Sequence, residues 1–177
     1  MTVMKISNFI SEDEVQFFRE YITHAIPNPS KQVALIRGGK MTKVDRDYYS
    51  INSPFKIFHK IRQIAEKNYH VPITFRKDAY AQLMHYKTGS EGLRWHEDLN
   101  LCYVGASINL SPDYEHDGGN FEVWNSKITN EYRSIIMYDN KTKHRVTGVS
   151  GGEKLSLVIW LPKVGQKVSD GKEWRYE

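Results

Sequence analysis

Arg94-Trp95-His96-Glu97-Asp98 places an imidazole and a carboxylate two residues apart, and an extended chain sends positions i and i+2 to one face. His96 and Asp98 therefore converge on one point. Lys143-His144-Arg145-Val146 puts a second imidazole at the start of a later strand-like run, where a facing sheet could bring it to the same point. Two histidines and one carboxylate on one face of an octahedral Fe(II) ion leave three exchangeable positions, the ligand set of non-haem oxygen chemistry. With neutral imidazoles the site keeps a single net positive charge. That charge leaves room for an anionic, chelating co-substrate.

The surrounding spacing reinforces the triad. Tyr86-Lys87-Thr88-Gly89 closes a strand whose tyrosine lies ten residues before His96, and Lys154 opens a strand ten residues after His144, with Ser156 on its face. Asp117-Gly118-Gly119-Asn120-Phe121-Glu122-Val123 supplies a tight turn into a strand between the two ligand segments. Ser107 and Asn109 share a strand face and are candidates for the pocket wall. Other polar residues read differently. His85 alternates away from Tyr86, His116 falls in a loop beside a glycine turn, and Arg145 points away from His144, so all three read as surface or packing residues. Trp95 and Trp124 read as core or rim aromatics.

These residues need a scaffold, and the chain divides into a helical start and a β-rich remainder. Ser11 caps a first helix, Glu14 completes a capping box, and Val15, Phe18, Ile22 and Ala25 recur at helical spacing. Phe9 and Ile10 read as a short strand ahead of it. Pro27, Asn28 and Pro29 break the helix. Ile36 to Ser53, with Gly38, Gly39, four basic residues (Arg37, Lys40, Lys43, Arg46) and the pair Tyr48 and Tyr49, reads mostly as loop. A second helix is expected from Pro54 to Tyr69, capped by Ser53, with Phe58, Ile61 and Ala65 on one face. Strands are expected at Ala79–Tyr86, Arg94–Asp98, Cys102–Leu110, Asn120–Trp124, Ser134–Tyr138, His144–Val149 and Lys154–Leu161, separated by stretches rich in Gly, Asn, Asp and Ser. Pro112 to Gly119 and Ser150 to Glu153 are among those turns.

That many short strands imply a sandwich or barrel, mainly β with supporting α-helices. The 177 residues suit a single domain: helical support over 1–73, a β core over about 74–162, and a polar tail over 163–177. Twenty-five Lys and Arg against 21 Asp and Glu give a net charge of +4, too mild an excess to demand nucleic acid. Cys102, the only cysteine, excludes an intramolecular disulfide and suits a reducing compartment. No apolar run reaches membrane-spanning length and no signal-peptide core opens the chain, so the expected location is the cytoplasm.

The order Tyr86 with Gly89, His96 with Asp98, Gly118-Gly119, His144, and then Lys154 in Gly151-Gly152-Glu153-Lys154-Leu155-Ser156-Leu157-Val158-Ile159-Trp160 resembles the 2-oxoglutarate and Fe(II)-dependent dioxygenases. Within that family it is most similar to the prolyl 4-hydroxylase-like group. The likeness runs from about Ala79 to Leu161, and Asn8-Phe9-Ile10-Ser11 also looks like the family's usual approach to its first helix. It implies a double-stranded β-helix, or jelly roll, of cupin-like form. It implies His96, Asp98 and His144 as iron ligands, and Lys154 as the cation for the far carboxylate of 2-oxoglutarate, helped by Tyr86 and Ser156. Many relatives place Arg where this chain has Lys154, whereas collagen-type prolyl 4-hydroxylases use Lys.

The implied reaction couples oxidative decarboxylation of 2-oxoglutarate by O2, giving succinate and CO2, to hydroxylation of a substrate C–H, with ascorbate supportive. Asp98 favours hydroxylation over halogenation, because halogenating relatives lack that carboxylate. The leading substrate is a proline within a polypeptide, gripped by a lid at Ile36 to Ser53 in which Tyr48 and Tyr49 supply flat contact area. A free amino acid or small metabolite is the alternative. A non-catalytic jelly-roll module that binds a ligand or partner is another. Nucleic-acid demethylation ranks lower, since the paired arginines of that group are missing near the last strands.

Overall fold

The computed structural model describes residues 3–30, 33–36, 41–43, 46–51, 56–73, 80–99, 101–166 and 175–176. In chain order these form β1 (Val3–Ile6), α1 (Glu12–His24), β2 (Asn28–Ser30), β3 (Val33–Ile36), β4 (Met41–Lys43), β5 (Arg46–Ser50), α2 (Lys56–Tyr69), β6 (Tyr80–Tyr86), β7 (Leu93–His96) and β8 (Val104–Asn109). A 3-10 turn at Asp113–Glu115 leads to β9 (His116–Gly118), β10 (Phe121–Val123), β11 (Ile135–Asp139), β12 (His144–Val146), β13 (Val149–Gly152), β14 (Lys154–Leu161) and β15 (Arg175–Tyr176).

Seven strands make the larger sheet in the order β1-β11-β8-β14-β6-β5-β2, and six make the facing sheet, β10-β12-β7-β15-β3-β4. The short pair β13 and β9 closes one end. Pairing within the larger sheet is antiparallel throughout. The mainly β jelly roll with two supporting helices is therefore observed.

The alternation of β14 explains the layering. Leu155, Leu157, Ile159 and Leu161 point to one face and join Val15 and Phe18 of α1 and Ile57, Phe58, Ile61 and Ala65 of α2 in the main core. Each such aliphatic side chain contributes about 1.5–3 kcal/mol by leaving water. Lys154, Ser156, Val158 and Trp160 alternate to the other face, which looks toward the second sheet. Ala106 and Ile108 of β8 and Leu83 of β6 follow the same rule on the helix side. The interior between the sheets is thus free to be polar.

Helix α1 begins as its sequence predicts. The Glu14 N–H donates to Ser11 Oγ at 3.1 Å, and the Ser11 N–H donates to Glu14 Oε1 at 3.0 Å, a reciprocal pair that satisfies two otherwise orphaned donors. Helix α2 starts at Lys56, while the expected cap Ser53 and Pro54 lie outside the described residues. No helix among the described residues is long and apolar enough to cross a membrane.

Several expectations require correction. Phe9 and Ile10 are not a strand: Asn8 turns the chain at φ 50°, and both following N–H groups donate to the Arg133 carbonyl, so the first strand is β1 instead. Ile36 to Ser53 is not mostly loop, since it holds the end of β3, all of β4 and all of β5. Charged residues flanking the tyrosines hide β5 from a periodicity reading, because both of its faces are covered. Residues 37–40, 44–45 and 52–53 of that region lie outside the described residues. The turns at Pro112–Gly119 and Ser150–Glu153 contain β9 and β13, which pair with each other. Asn28 and Pro29 form part of β2, where proline is tolerated because the strand sits at a sheet edge. His144–Val149 is split into β12 and β13, and the polar tail contributes β15, which pairs with β3 and β7. Ala79 lies outside the described residues.

Candidate metal centre and anchor row

His96 ends β7 and His144 begins β12, and the two are register partners across the smaller sheet. Their rings lie 4.1 Å apart, centroid to centroid. Asp98 follows two residues after His96, its N–H held by the Asn140 carbonyl at 3.0 Å. All three side chains are buried. One ligand atom from each lies within 4.8 Å of the others.

The hydrogen bonds fix which atoms face inward. His96 Nδ1 donates to the Arg94 carbonyl at 2.7 Å and His144 Nδ1 donates to the Thr142 carbonyl at 2.9 Å, so in the neutral rings each Nε2 keeps its lone pair. Those Nε2 atoms lie 3.6 and 3.5 Å from Asp98 Oδ1 and Oδ2. The His96 contact is not an ion pair, because burial, reinforced by His144 beside it, holds the His96 imidazole well below its usual pKa. Asp98 Oδ2 accepts from Tyr138 Oη at 3.2 Å and from Trp160 Nε1 at 3.1 Å, whereas its buried Oδ1 has no partner. A buried carboxylate oxygen without a donor is costly. A divalent cation held by Asp98 Oδ1 and the two Nε2 atoms would relieve that cost. The backbone carbonyls and the Tyr138 and Trp160 donors are the outer partners that orient such ligands.

His144 is further clamped by aromatic rings, with Tyr138 at 4.4 Å and Phe121 at 5.3 Å between centroids. Arg46, Tyr86 and Ser156 stand on the wall of the same cavity as the triad. The open space is narrow, about 30 Å3.

Lys154 and Tyr86 are register partners on β14 and β6 and share the inner face. Lys154 is only 3% exposed, and burial pulls its ammonium pKa down to about 8 despite the opposing charge of Asp113. Among the described residues this ammonium has neither a hydrogen-bond nor an ion-pair partner. Gly119 makes room for it. That residue sits at φ +68°, and an added Cβ would lie 3.0 Å from Lys154 Cβ and 3.1 Å from Lys154 Cγ.

Other candidates separate cleanly. Ser107 lines the metal cavity, but Asn109 is committed elsewhere, donating to the Asn130 carbonyl at 2.8 Å and accepting from the Ser111 N–H at 2.9 Å. His85 pairs with Glu153 at 2.9 Å away from the triad. Arg145 pairs with Glu122 at 2.6 Å and lies 4.6 Å over Trp95, which meets the half-exposed Trp124 edge to face. His116 is buried within β9 rather than in a loop, its Nδ1 donating to the Gly118 carbonyl at 2.7 Å. The tyrosine pair divides: Tyr49 is buried in the helix-side core, and only Tyr48 packs against the inner cluster with Met84 and Tyr86. Tyr138 and Trp160 are absent from the sequence-based candidate set; Trp160 is recognisable from alternation, since it shares the β14 face of Lys154 and Ser156.

No protein-family model matches the sequence, and no curated protein matches it. Solved structures do match. A prolyl-4-hydroxylase from Pseudomonas putida aligns with 15% identity and a TM-score of 0.68, over 93% of this chain and 94% of that one. HygX from Streptomyces hygroscopicus, solved with nickel, 2-oxoglutarate and hygromycin B, aligns with 12% identity and a TM-score of 0.67, over 94% and 84%. A prolyl hydroxylase from Trichoplax adhaerens, in complex with a hypoxia-inducible factor peptide fragment, aligns with 14% identity and a TM-score of 0.65, over 92% and 84%. At these identities the likeness is one of fold.

Proposed function

We propose that this chain is a 2-oxoglutarate- and Fe(II)-dependent dioxygenase that hydroxylates an unactivated C–H bond. The observation that carries the reading is Lys154, a buried ammonium whose register partner Tyr86 lines the cavity of the three-ligand site. A buried cation left unmatched costs several kcal/mol, and a dianion whose other end chelates the metal relieves that cost. His96, Asp98 and His144 would hold the iron, and Lys154, Tyr86 and Ser156 would take the distal carboxylate. Bound iron supplies oxygen activation coupled to oxidative decarboxylation. The chain's part is to hold the ligands in orientation, with Tyr138 and Trp160 donating to Asp98, and to exclude bulk water.

A proline within a polypeptide is the proposed substrate. Its support is the alignment with prolyl hydroxylase structures, one of them peptide-bound, together with the half-exposed Trp124 and the half-buried Tyr48. Polyproline segments favour flat aromatic contacts because they are already extended and lose little entropy on binding. A small-molecule substrate is the second reading, favoured by the narrowness of the cavity and by the alignment with an oxygenase solved with hygromycin B. Incubation with Fe(II), 2-oxoglutarate, ascorbate and a proline-rich peptide library, followed by mass spectrometry and succinate assay, tests both. Oxygen added to peptidyl proline in step with succinate supports the first reading. Oxidation confined to free amino acids or other metabolites transfers the case to the second, and absence of succinate under all conditions rejects the dioxygenase assignment.

A further inference from the structure

The inner face of the larger sheet carries a row of side chains that continues beyond Lys154 and Tyr86. Strand β5 pairs with β6 so that Asp47 faces His85, which sets Arg46 opposite Tyr86 on the side away from Lys154. Arg46, Tyr86 and Lys154 are 5%, 2% and 3% exposed. Tyr86 thus stands between two buried cations.

Arg46 Nη1 donates to Tyr86 Oη at 3.3 Å. A guanidinium has only donors, so the phenolic oxygen is the acceptor and its own proton must point elsewhere. Among the described residues no acceptor receives that proton. Beside it the Lys154 ammonium also lacks a partner. Two donors on register-paired residues of the inner face, neither with an acceptor, describe a carboxylate cradle, and the guanidinium on the far side both fixes the phenol and polarises its O–H.

We propose that Arg46 is a positioning residue for the distal carboxylate of the co-substrate, acting through the Tyr86 hydroxyl. The inference rests on the dioxygenase reading above and adds a residue from β5. Arg46 sets the direction and strength of one hydrogen bond. Lys154 supplies the charge.

The test is calorimetric titration of the whole chain loaded with redox-silent Ni(II), using 2-oxoglutarate and, separately, 2-oxobutanoate, which has the same chelating head without the distal carboxylate. Arg46→Gln should weaken 2-oxoglutarate binding about tenfold and leave 2-oxobutanoate unchanged. Tyr86→Phe should do the same, and the double variant should be no worse than Tyr86→Phe alone, because both act through one phenol. Arg46→Lys should recover part of the affinity, and it carries the same comparison if Arg46→Gln does not fold. Equal weakening of both acids, multiplication of the two single effects to about a hundredfold, or unaltered binding of both acids would overturn the proposal. A native chain that binds both acids equally instead removes the dioxygenase reading, a result visible before any variant is made.

Discussion

Asp98 concentrates the chemistry of the site in one side chain. Its Oδ2 accepts from Tyr138 and Trp160 and lies 3.5 Å from His144 Nε2, while Oδ1, buried and without a donor, lies 3.6 Å from His96 Nε2. Replacing His96 or His144 by Ala should abolish metal binding and turnover while the fold persists, with the helix-side core untouched; calorimetric metal titration and circular dichroism check the two halves of that expectation. Lys154 makes the opposite kind of case. Its pKa of about 8 in the fold lies below the ordinary lysine value of 10.5, so the unfolded chain binds more protons between pH 8 and 10.5 and this group's contribution to stability rises with pH across that window. The cation itself is present only below about pH 8, so affinity of the metal-loaded chain for 2-oxoglutarate should fall as pH rises through that value. Lys154→Met removes a buried, unpartnered charge and should raise stability by about 1–3 kcal/mol while abolishing 2-oxoglutarate binding. A thermal midpoint lower than that of the native chain would show that Lys154 is already compensated.

At the scale of elements, legibility follows strand length and covering. Strand β14 is found residue for residue, because eight alternating positions with β-branched residues leave little choice of register. The triad is legible for a related reason: His96 and Asp98 share a face by local spacing alone, and His144 needs only one facing strand. Arg46 is not legible as a wall residue, since its inward direction depends on pairing with β6 at a distance of 40 residues. Three-residue strands such as β2, β9 and β10 carry too few positions for a period, and of these only β10, with its apolar Phe121 and Val123, is found. The turn before β10 is itself part of the site. Gly118 and Gly119 both have positive φ, and Gly119 lies against the Lys154 stem. Gly119→Ala should destabilise by about 1–2 kcal/mol through backbone strain and should weaken 2-oxoglutarate binding before metal binding. Denaturant unfolding and paired titrations of metal and acid measure the two effects, and a loss confined to metal affinity would place the strain elsewhere.

At the scale of the whole molecule, iron held by His96, Asp98 and His144 would join β7, β12 and the segment carrying Asp98, and the co-substrate would tie that centre to β6 and β14 on the opposite sheet. Ligands that bind only the folded chain stabilise it by mass action, about 2.7 kcal/mol at a hundred times the dissociation constant. For a chain of this length that corresponds to a rise in thermal midpoint of roughly 5–10 °C. The order of addition should matter. Ni(II) alone should raise the midpoint and a chelator should reverse it, while 2-oxoglutarate alone should do little, because half of its attachment is the metal. Added after Ni(II), 2-oxoglutarate should give a second rise in the native chain, and only the first rise should survive in Lys154→Ala. The sandwich would then be braced across its two sheets by the same groups that perform the chemistry. A second rise of equal size in Lys154→Ala would mean that the acid is held through its chelating end alone, and the anchor row across β5, β6 and β14 would lose its assigned role.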